Sequence, residues 1–584
     1  MKKYLFIALA LLGMASCAKD DLNGGNKPQH NGEIEESYIA INLMAADVDS
    51  RAQDLDNEKD GGYEDGTPEE RAVNTAHFFF FDENGNPFNV VGNPEANAPG
   101  GGKNHLQLAI GNTTGQNAPN VSDIKEAVLI LNTYKGVYPK QVVAVLNWAP
   151  APDTAYSLDA LHKELAAIGN DTNGYVMSNS VYMVGEGAEK EMIDAVKITE
   201  DHIKKEAGLA KANPIDIYVE RIAAKVCVTT QGGANSMFKV TDDDSMLKPV
   251  GGSDKHVYMN VLGWELFNEY ATSNLIKNID ISWTAENLGL TWNDSPYYRC
   301  YWATSQSTVI NDQFTWKYAK DSVPASTYNG IPSVYGYPVG GHTYCGENTN
   351  SETLRTKLIL KGQLMEQTGE DTYKELEIAS WFGNDYAGEA DLKTAVVNSL
   401  KYTLLYKVDG DTYSSIGVDD IVCVEGEELQ DVNSKIKAYQ VGFQLSDVVG
   451  KGNDRLWYLY SPDGQHKPLG NIDDLADVTA ETNEYLANNV EPALLYKSGQ
   501  TYYIVDIEHL GKEKTKPAYY GVVRNHVYQI DINSIKGFGS PIYSGLDFIV
   551  DQPEYPIEYE DSYVAARINV LSWKIVKQTV DIVQ

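Results

Sequence analysis

Cys17 is the residue whose surroundings point most directly to covalent chemistry. Lys2 and Lys3 precede the apolar run from Tyr4 to Leu12, and Gly13-Met14-Ala15-Ser16 leads into the cysteine. A basic start, a short apolar core and small residues before a cut make a secretory signal. The run is too short for the roughly 20 apolar residues that a bilayer-spanning helix needs. Small residues before a Cys resemble a lipobox, in which the thiol takes a lipid and cleavage exposes it as the first residue. Met14 stands where Leu is usual, and a plain signal peptide with an incidental Cys is the alternative.

The remaining candidates for chemistry are sparse. Cys227, Cys300, Cys345 and Cys423 contain no CxxC and have no nearby His at zinc spacing, so no metal site is expected. In an exported protein a Cys300–Cys345 bridge could form, because both lie in one loop-rich stretch. Cys227 and Cys423 sit in apolar strand-like runs and read as small core residues. Asp82, Asn84 and Asn86 could face a calcium ion, but the later carboxylate is missing and Asn84-Gly85 is a hairpin turn. Ser245-Met246-Leu247-Lys248 fits SxxK behind a turn-like Asp242-Asp243-Asp244. There is no GxSxG, P-loop, HExxH or helix-opening GxGxxG, and the ten His are scattered. Neither an enzyme nor a cofactor is expected, although paired carboxylates from distant segments would leave no local motif.

The elements around these residues are those of a β protein. Of 584 residues 42% are hydrophobic and 22% charged, which argues against collagen, coiled coil and wholesale disorder. The net charge of −35 repels phosphate backbones, so no nucleic acid is expected as a partner. The 38 Tyr and 49 Gly, against 13 Phe, suit half-exposed strands and many turns.

After a polar tether over 18–33, Ile39, Ile41 and Leu43 alternate at period two, predicting a strand with one buried side. Ten acidic residues then lie between Asp47 and Glu70, with Arg51 and Arg71 near the ends, and predict a solvated flexible loop. A first body over 52–218 contains a strand at His77–Phe81 and a buried strand at Val142–Trp148. Within it, Ser157 caps a predicted helix with Leu158, Leu161, Leu165 and Ile168 on one stripe, stopped at Gly169. A second body over 219–560 holds the remaining strands and a loop-rich insertion at about 283–344 with thirteen aromatics. Those aromatics suit either packing onto the scaffold or sugar and protein contacts.

The chain end is unusual. Val564, Ala566, Ile568 and Val570 alternate with larger or more polar residues, and Val576, Val580 and Ile582 continue beyond Trp573. Termini normally fray in polar residues. A long apolar-alternating strand after the acidic link 551–561 needs a groove, in its own sheet or in another copy. Here the residues resemble a family. Gly521-Val522-Val523-Arg524-Asn525-His526-Val527-Tyr528, with Ser534-Ile535-Lys536-Gly537, is similar to the C-terminal signature of the Mfa1-type fimbrillins, shaft proteins of type V pili in Bacteroidia. Val570-Leu571-Ser572-Trp573-Lys574 resembles that family's terminal strand, where Pro often replaces Ser572. Val219–Lys225 resembles its domain junction, and Tyr344–Thr349 a motif of its relatives. Ala18-Lys19-Asp20-Asp21 resembles the surface-export tag of Bacteroidetes lipoproteins.

The resemblance implies an all-β fold of two transthyretin-like antiparallel β-sandwich domains in series, with a few short helices. It implies a lipid-anchored, surface-exposed precursor on the outer membrane, with residues 1–17 as signal and lipidated Cys. It further implies that a trypsin-like Arg-specific protease cuts at Arg51-Ala52, with Arg71 as runner-up, and removes the strand of Ile39, Ile41 and Leu43 in the propeptide 18–51. The donor strand in 561–584, carrying Ile568, Val570, Trp573, Val576, Val580 and Ile582, would fill the vacated groove of another subunit. Partners are then other copies, related fimbrial subunits, the protease, and host protein or glycan. A tip adhesin, a surface glycan-binding lipoprotein and a surface hydrolase are the competing readings.

Overall fold

The computed structural model describes residues 34–45, 60–64, most of 66–278, short pieces of 305–332, most of 339–542, and 549–551 and 573–582. In the N-terminal half the strands that position the site are β1 (Ile34–Ala45), β2 (Asp60–Glu64), β3 (Ala76–Phe81), β4 (Ile124–Tyr134), β5 (Gln141–Leu146), β6 (Met177–Asn179) and β7 (Ile215–Arg221). In the C-terminal half they are β8 (Ala223–Thr230), β9 (Val257–Phe267), β10 (His342–Gly346), β11 (Lys357–Gly369), β12 (Gln500–Asp506), β13 (His526–Ile535) and β14 (Trp573–Ile582). The chain is all-β with few helices, as its composition and turns predict.

The N-terminal strands form one nine-stranded sheet in which β3, β5, β6, β7, β1 and β4 are successive neighbours. Around β3 and β5 both faces are buried. Ile39, Ile41, Phe78, Phe80, Leu129 and Ile217 share one core, while Phe79, Phe81, Val143 and Val145 belong to a second. This is why β3 reads Ala-His-Phe-Phe-Phe-Phe without alternation: a strand covered on both sides has no polar face. β1 is likewise more enclosed than its period predicts, since Ala40 between the two isoleucines is also fully buried.

In the C-terminal half two sheets pack face to face. One runs β2-β14-β13-β8-β10, and the other contains β9, β11 and β12 as successive neighbours. Val226 and Val228 of β8 and Tyr528 and Ile530 of β13 share a core with Met259, Trp264, Leu360 and Val505 of the facing sheet. Alternating inward residues from both layers make a sandwich.

Three expectations are revised. The helix begun by Ser157, whose Oγ accepts the Ala160 N–H, spans only Leu158–Lys163. Leu165–Ala167 instead pairs as a strand with Thr272–Asn274, because Glu164 has already turned to extended backbone. The second body is not a single layer pair, for residues 378–495 carry a separate core of Leu392, Val396, Phe443, Trp457, Val478 and Leu486. The helices Glu389–Leu400 and Leu475–Asn489 supply part of it. The acidic segment is not uniformly loop, since β2 lies within it and pairs with β14.

Candidate functional site

The site is a set of strand slots and the junction that holds them. β1 lies inside the first sheet, antiparallel to β4 from Ile34↔Tyr134 to Met44↔Ile124 and parallel to β7 from Ile41↔Ile215 to Ala45↔Val219. Ile39 and Ile41 are 0% exposed. Each contributes roughly 1.5–3 kcal/mol by burial, beyond the two backbone ladders. Leu43 follows at the same period and pairs with Ile217 and Lys125. Removing β1 would open a slot with one parallel and one antiparallel wall, floored by the Phe78–Leu129–Ile217 core.

β14 carries Trp573, Val576, Val580 and Ile582. It runs parallel to β13, with Tyr528↔Val576 and Ile532↔Val580 in register, and antiparallel to β2 on its other side. In this chain the terminal strand therefore completes its own sheet, one of the two outcomes its sequence left open. Its surroundings have the same polarity as those of β1, one parallel and one antiparallel neighbour. Ile568 and Val570 lie outside the described residues, as do Cys17, Arg51 and Ala52.

The blocks that carry the resemblance converge between the two halves. β7 runs through the buried Ile222 into β8. Arg524, fully buried, donates from Nε to Glu347 Oε2 at 3.1 Å and from Nη2 to the Asn274 carbonyl at 2.7 Å. Asn525 has φ +56° and its Oδ1 accepts from Arg221 Nη1 at 3.1 Å, while its N–H donates to Ala223 O at 2.7 Å. Lys277 Nζ pairs with Glu220 Oε1 at 2.8 Å, both side chains being 0% exposed. Gly346 has no room for a side chain, because a Cβ there would lie 2.2 Å from Thr272 O. These motifs are joints, not chemistry. A buried charge needs a fixed partner, and the joint supplies one for each of these groups.

Arg71, the runner-up cleavage position, sits at this joint. Its N–H donates to Thr67 O at 3.2 Å within a tight turn. The adjacent Glu70 is 0% exposed, receives Lys225 Nζ at 2.5 Å and the Tyr344 hydroxyl, and gives its carbonyl to Arg221 Nε at 2.7 Å. Burial alone would push the Glu70 carboxyl up. Hydrogen bonds from Lys225 and Tyr344 outweigh it and hold the group below the ordinary range. Burial and Glu70 together push the Tyr344 phenol up.

Cys345 is a free buried thiol in β10, beside Ala224. The strand holds Cys345 within the sheet's core, and Cys300, its possible bridge partner, lies outside the described residues. Cys423 is a free thiol that burial pushes up to about 12. Asp82 Oδ1 accepts the N–H of Asn84 at 2.8 Å and of Asn86 at 2.9 Å, so its carboxylate closes the hairpin turn. No group of three His, Cys, Asp or Glu among the described residues could hold a metal ion. No helix among them is long and apolar enough to cross a membrane.

Comparison with known families is decided by the C-terminal region. Residues 494–579, which span β12, β13 and most of β14, match the family model for the major fimbrial subunit protein type IV, fimbrillin, C-terminal. This region is similar to the C-terminal region of fimbrillins. The Arg524-Asn525-His526 joint and the terminal strand both lie within or across it. The Mfa1-type subdivision is not resolved by that match. No curated protein sequence matches the chain significantly. Among solved structures, a protein described as a cell adhesion protein from Parabacteroides distasonis is 11% identical, with a TM-score of 0.34, covering 94% of this chain and all of its own. The tip fimbrial protein Mfa3 from Porphyromonas gingivalis is 10% identical with a TM-score of 0.23, covering 58% of this chain and 81% of its own. A fimbrilin from the same species is 12% identical with a TM-score of 0.25, covering 65% and 79%.

Proposed function

We propose that this chain is a structural, non-enzymatic subunit of a surface fimbria, most simply a shaft subunit, that polymerises by exchange of strands. The observation that carries this reading is the matched polarity of β1 and β14. β1 fills a slot between a parallel and an antiparallel strand, and β14 rests in a slot of the same kind at the end of the same chain. A subunit that loses β1 exposes two strand edges over an apolar core, an arrangement that other chains pair with readily. A second copy's terminal strand can supply the backbone ladder and apolar plugs. Each such contact is head-to-tail, so repetition gives an open filament.

In this reading Cys17 carries the lipid that holds the precursor on the outer membrane, and an Arg-specific trypsin-like protease cuts after Arg51. Arg51 is preferred to Arg71 because a protease needs an extended, accessible segment, whereas Arg71 lies in a turn fixed by the buried Glu70. The test uses the precursor without residues 1–17 and a catalytic amount of trypsin. We expect a new N-terminus at Ala52 by mass spectrometry and a detergent-resistant ladder on an unboiled gel. Cutting without multimers would remove the exchange reading. Saturable binding of one glycan by a strictly monomeric product would favour a glycan-binding lipoprotein in its place.

A further inference from the structure

We propose that residues 60–71 form a strap that holds the terminal strand in its own sheet and stays on the chain after β1 is cut away. The second part rests on the proposed cut after Arg51. The first part rests on geometry alone.

One edge of β14 is covered by β13. The other is covered by β2, with Asp60↔Val576, Tyr63↔Lys574 and Glu64↔Trp573 paired. The sequence of β2, Asp-Gly-Gly-Tyr-Glu, has little strand propensity of its own. A second anchor holds it there. Six residues after Glu64, Glu70 is gripped by Lys225 of β8 and Tyr344 of β10. These grips lie on one row across the sheet, because Tyr344 pairs with Lys225, Lys225 with Val527, and Val527 with Ile575. From β2 to β8 is three strand spacings, about 14 Å, and six residues reach up to about 20 Å. The strap therefore starts outside β14, passes β13 and lands on β8 and β10.

The strap assigns different outcomes to the two arginines. A cut after Arg51 leaves β2 attached close to the new N-terminus, still covering β14. A cut after Arg71 separates β2 and Glu70 from the body and leaves β14 held on one edge. The strap thus restrains the donor strand in a processed subunit until an acceptor competes for it.

Hydrogen exchange on the uncut monomer tests this without reference to polymerisation. Replacing Gly61→Pro together with Tyr63→Pro removes two backbone donors from β2. Exchange in peptides covering 573–582 should rise about tenfold or more, while peptides from β3 and β5 stay at their original rates. Glu70→Ala, which leaves the β2 backbone intact, should raise exchange at 573–582 in the same direction. It also decides the matter should the double proline disturb β3 and β5. Unchanged protection of 573–582 in Glu70→Ala and in a folded double-proline variant would overturn the strap. Failure of the fimbrial reading looks different: the strap effect persists, yet the trypsin-cut chain gives no ladder.

Discussion

Replacing Glu70 by Gln keeps the shape of the side chain and removes its charge. Glu70 and Lys225 are 1% and 8% exposed at their side chains, so the lysine would be left buried without its carboxylate. Breaking one member of a buried pair costs about 3–5 kcal/mol. That cost falls on the conformation in which the turn 67–71 is docked, because the carboxyl, the Glu70 carbonyl and the Thr67 contacts all belong to it. At about 1.4 kcal/mol per tenfold, the undocked population should rise by at least about a hundredfold. Limited trypsin digestion reads this directly, as the rate at which a new N-terminus appears at Ala72. The wild-type chain should be cut there slowly, and Glu70→Gln faster by a factor of that order. Global unfolding by urea is followed in parallel to separate local release from general loss of stability. An unchanged rate at Arg71, with the variant folded, would refute the claim that Glu70 anchors this segment.

Further predictions follow from the slot and its sheet. Ile41→Ala should destabilise the uncut chain by about 2–5 kcal/mol in denaturant titration, yet leave the stability of the chain cut after Arg51 unchanged once β1 has left. His77 is 4% exposed, and burial, with the neighbouring His105 charge adding to it, lowers its pKa to about 4. The neutral ring is favoured in the fold, so its cost is absent above pH 6.5 and grows as pH falls towards 4, reaching roughly 3 kcal/mol. His77→Leu should flatten that part of the stability–pH curve, and an unchanged slope would contradict the assignment. Gly346→Ala should lower the urea midpoint strongly, since the new methyl meets the Thr272 carbonyl rather than a movable side chain; a wild-type midpoint would show that the junction is looser than described.

The sequence announces some of this architecture and conceals the rest for identifiable reasons. β1 is legible because Ile39, Ile41 and Leu43 alternate, and alternation survives burial of the small Ala40 between them. The turn at Asp82–Asn86 is legible because its hydrogen bonds are local. β2 is not legible, since Asp-Gly-Gly-Tyr-Glu becomes a strand only through an edge contributed more than 500 positions later. The joint is legible as motifs but not as contacts: Arg221 meets Asn525 across 304 positions, and Lys225 meets Glu70 across 155. The unit at 378–495 hides for another reason. Its helix Leu475–Asn489 buries Val478, Thr482 and Leu486 at a spacing of four, but the middle position is polar, and Asp474 is an N-cap within an acidic stretch.

The central claim is that the terminal strand of one copy takes the place of β1 in the next. It is tested most directly with two one-sided chains. An acceptor lacking 561–584 keeps Arg51, and a donor carrying Arg51→Ala and Arg71→Ala keeps its terminal strand but retains β1. After brief trypsin treatment and inhibition of the protease, each chain alone should run as a monomer, and their mixture should give one detergent-resistant heterodimer and nothing larger. Multimers formed by either chain alone, or a mixture that stays monomeric although the acceptor begins at Ala52, would contradict strand exchange between β1 and the terminal strand.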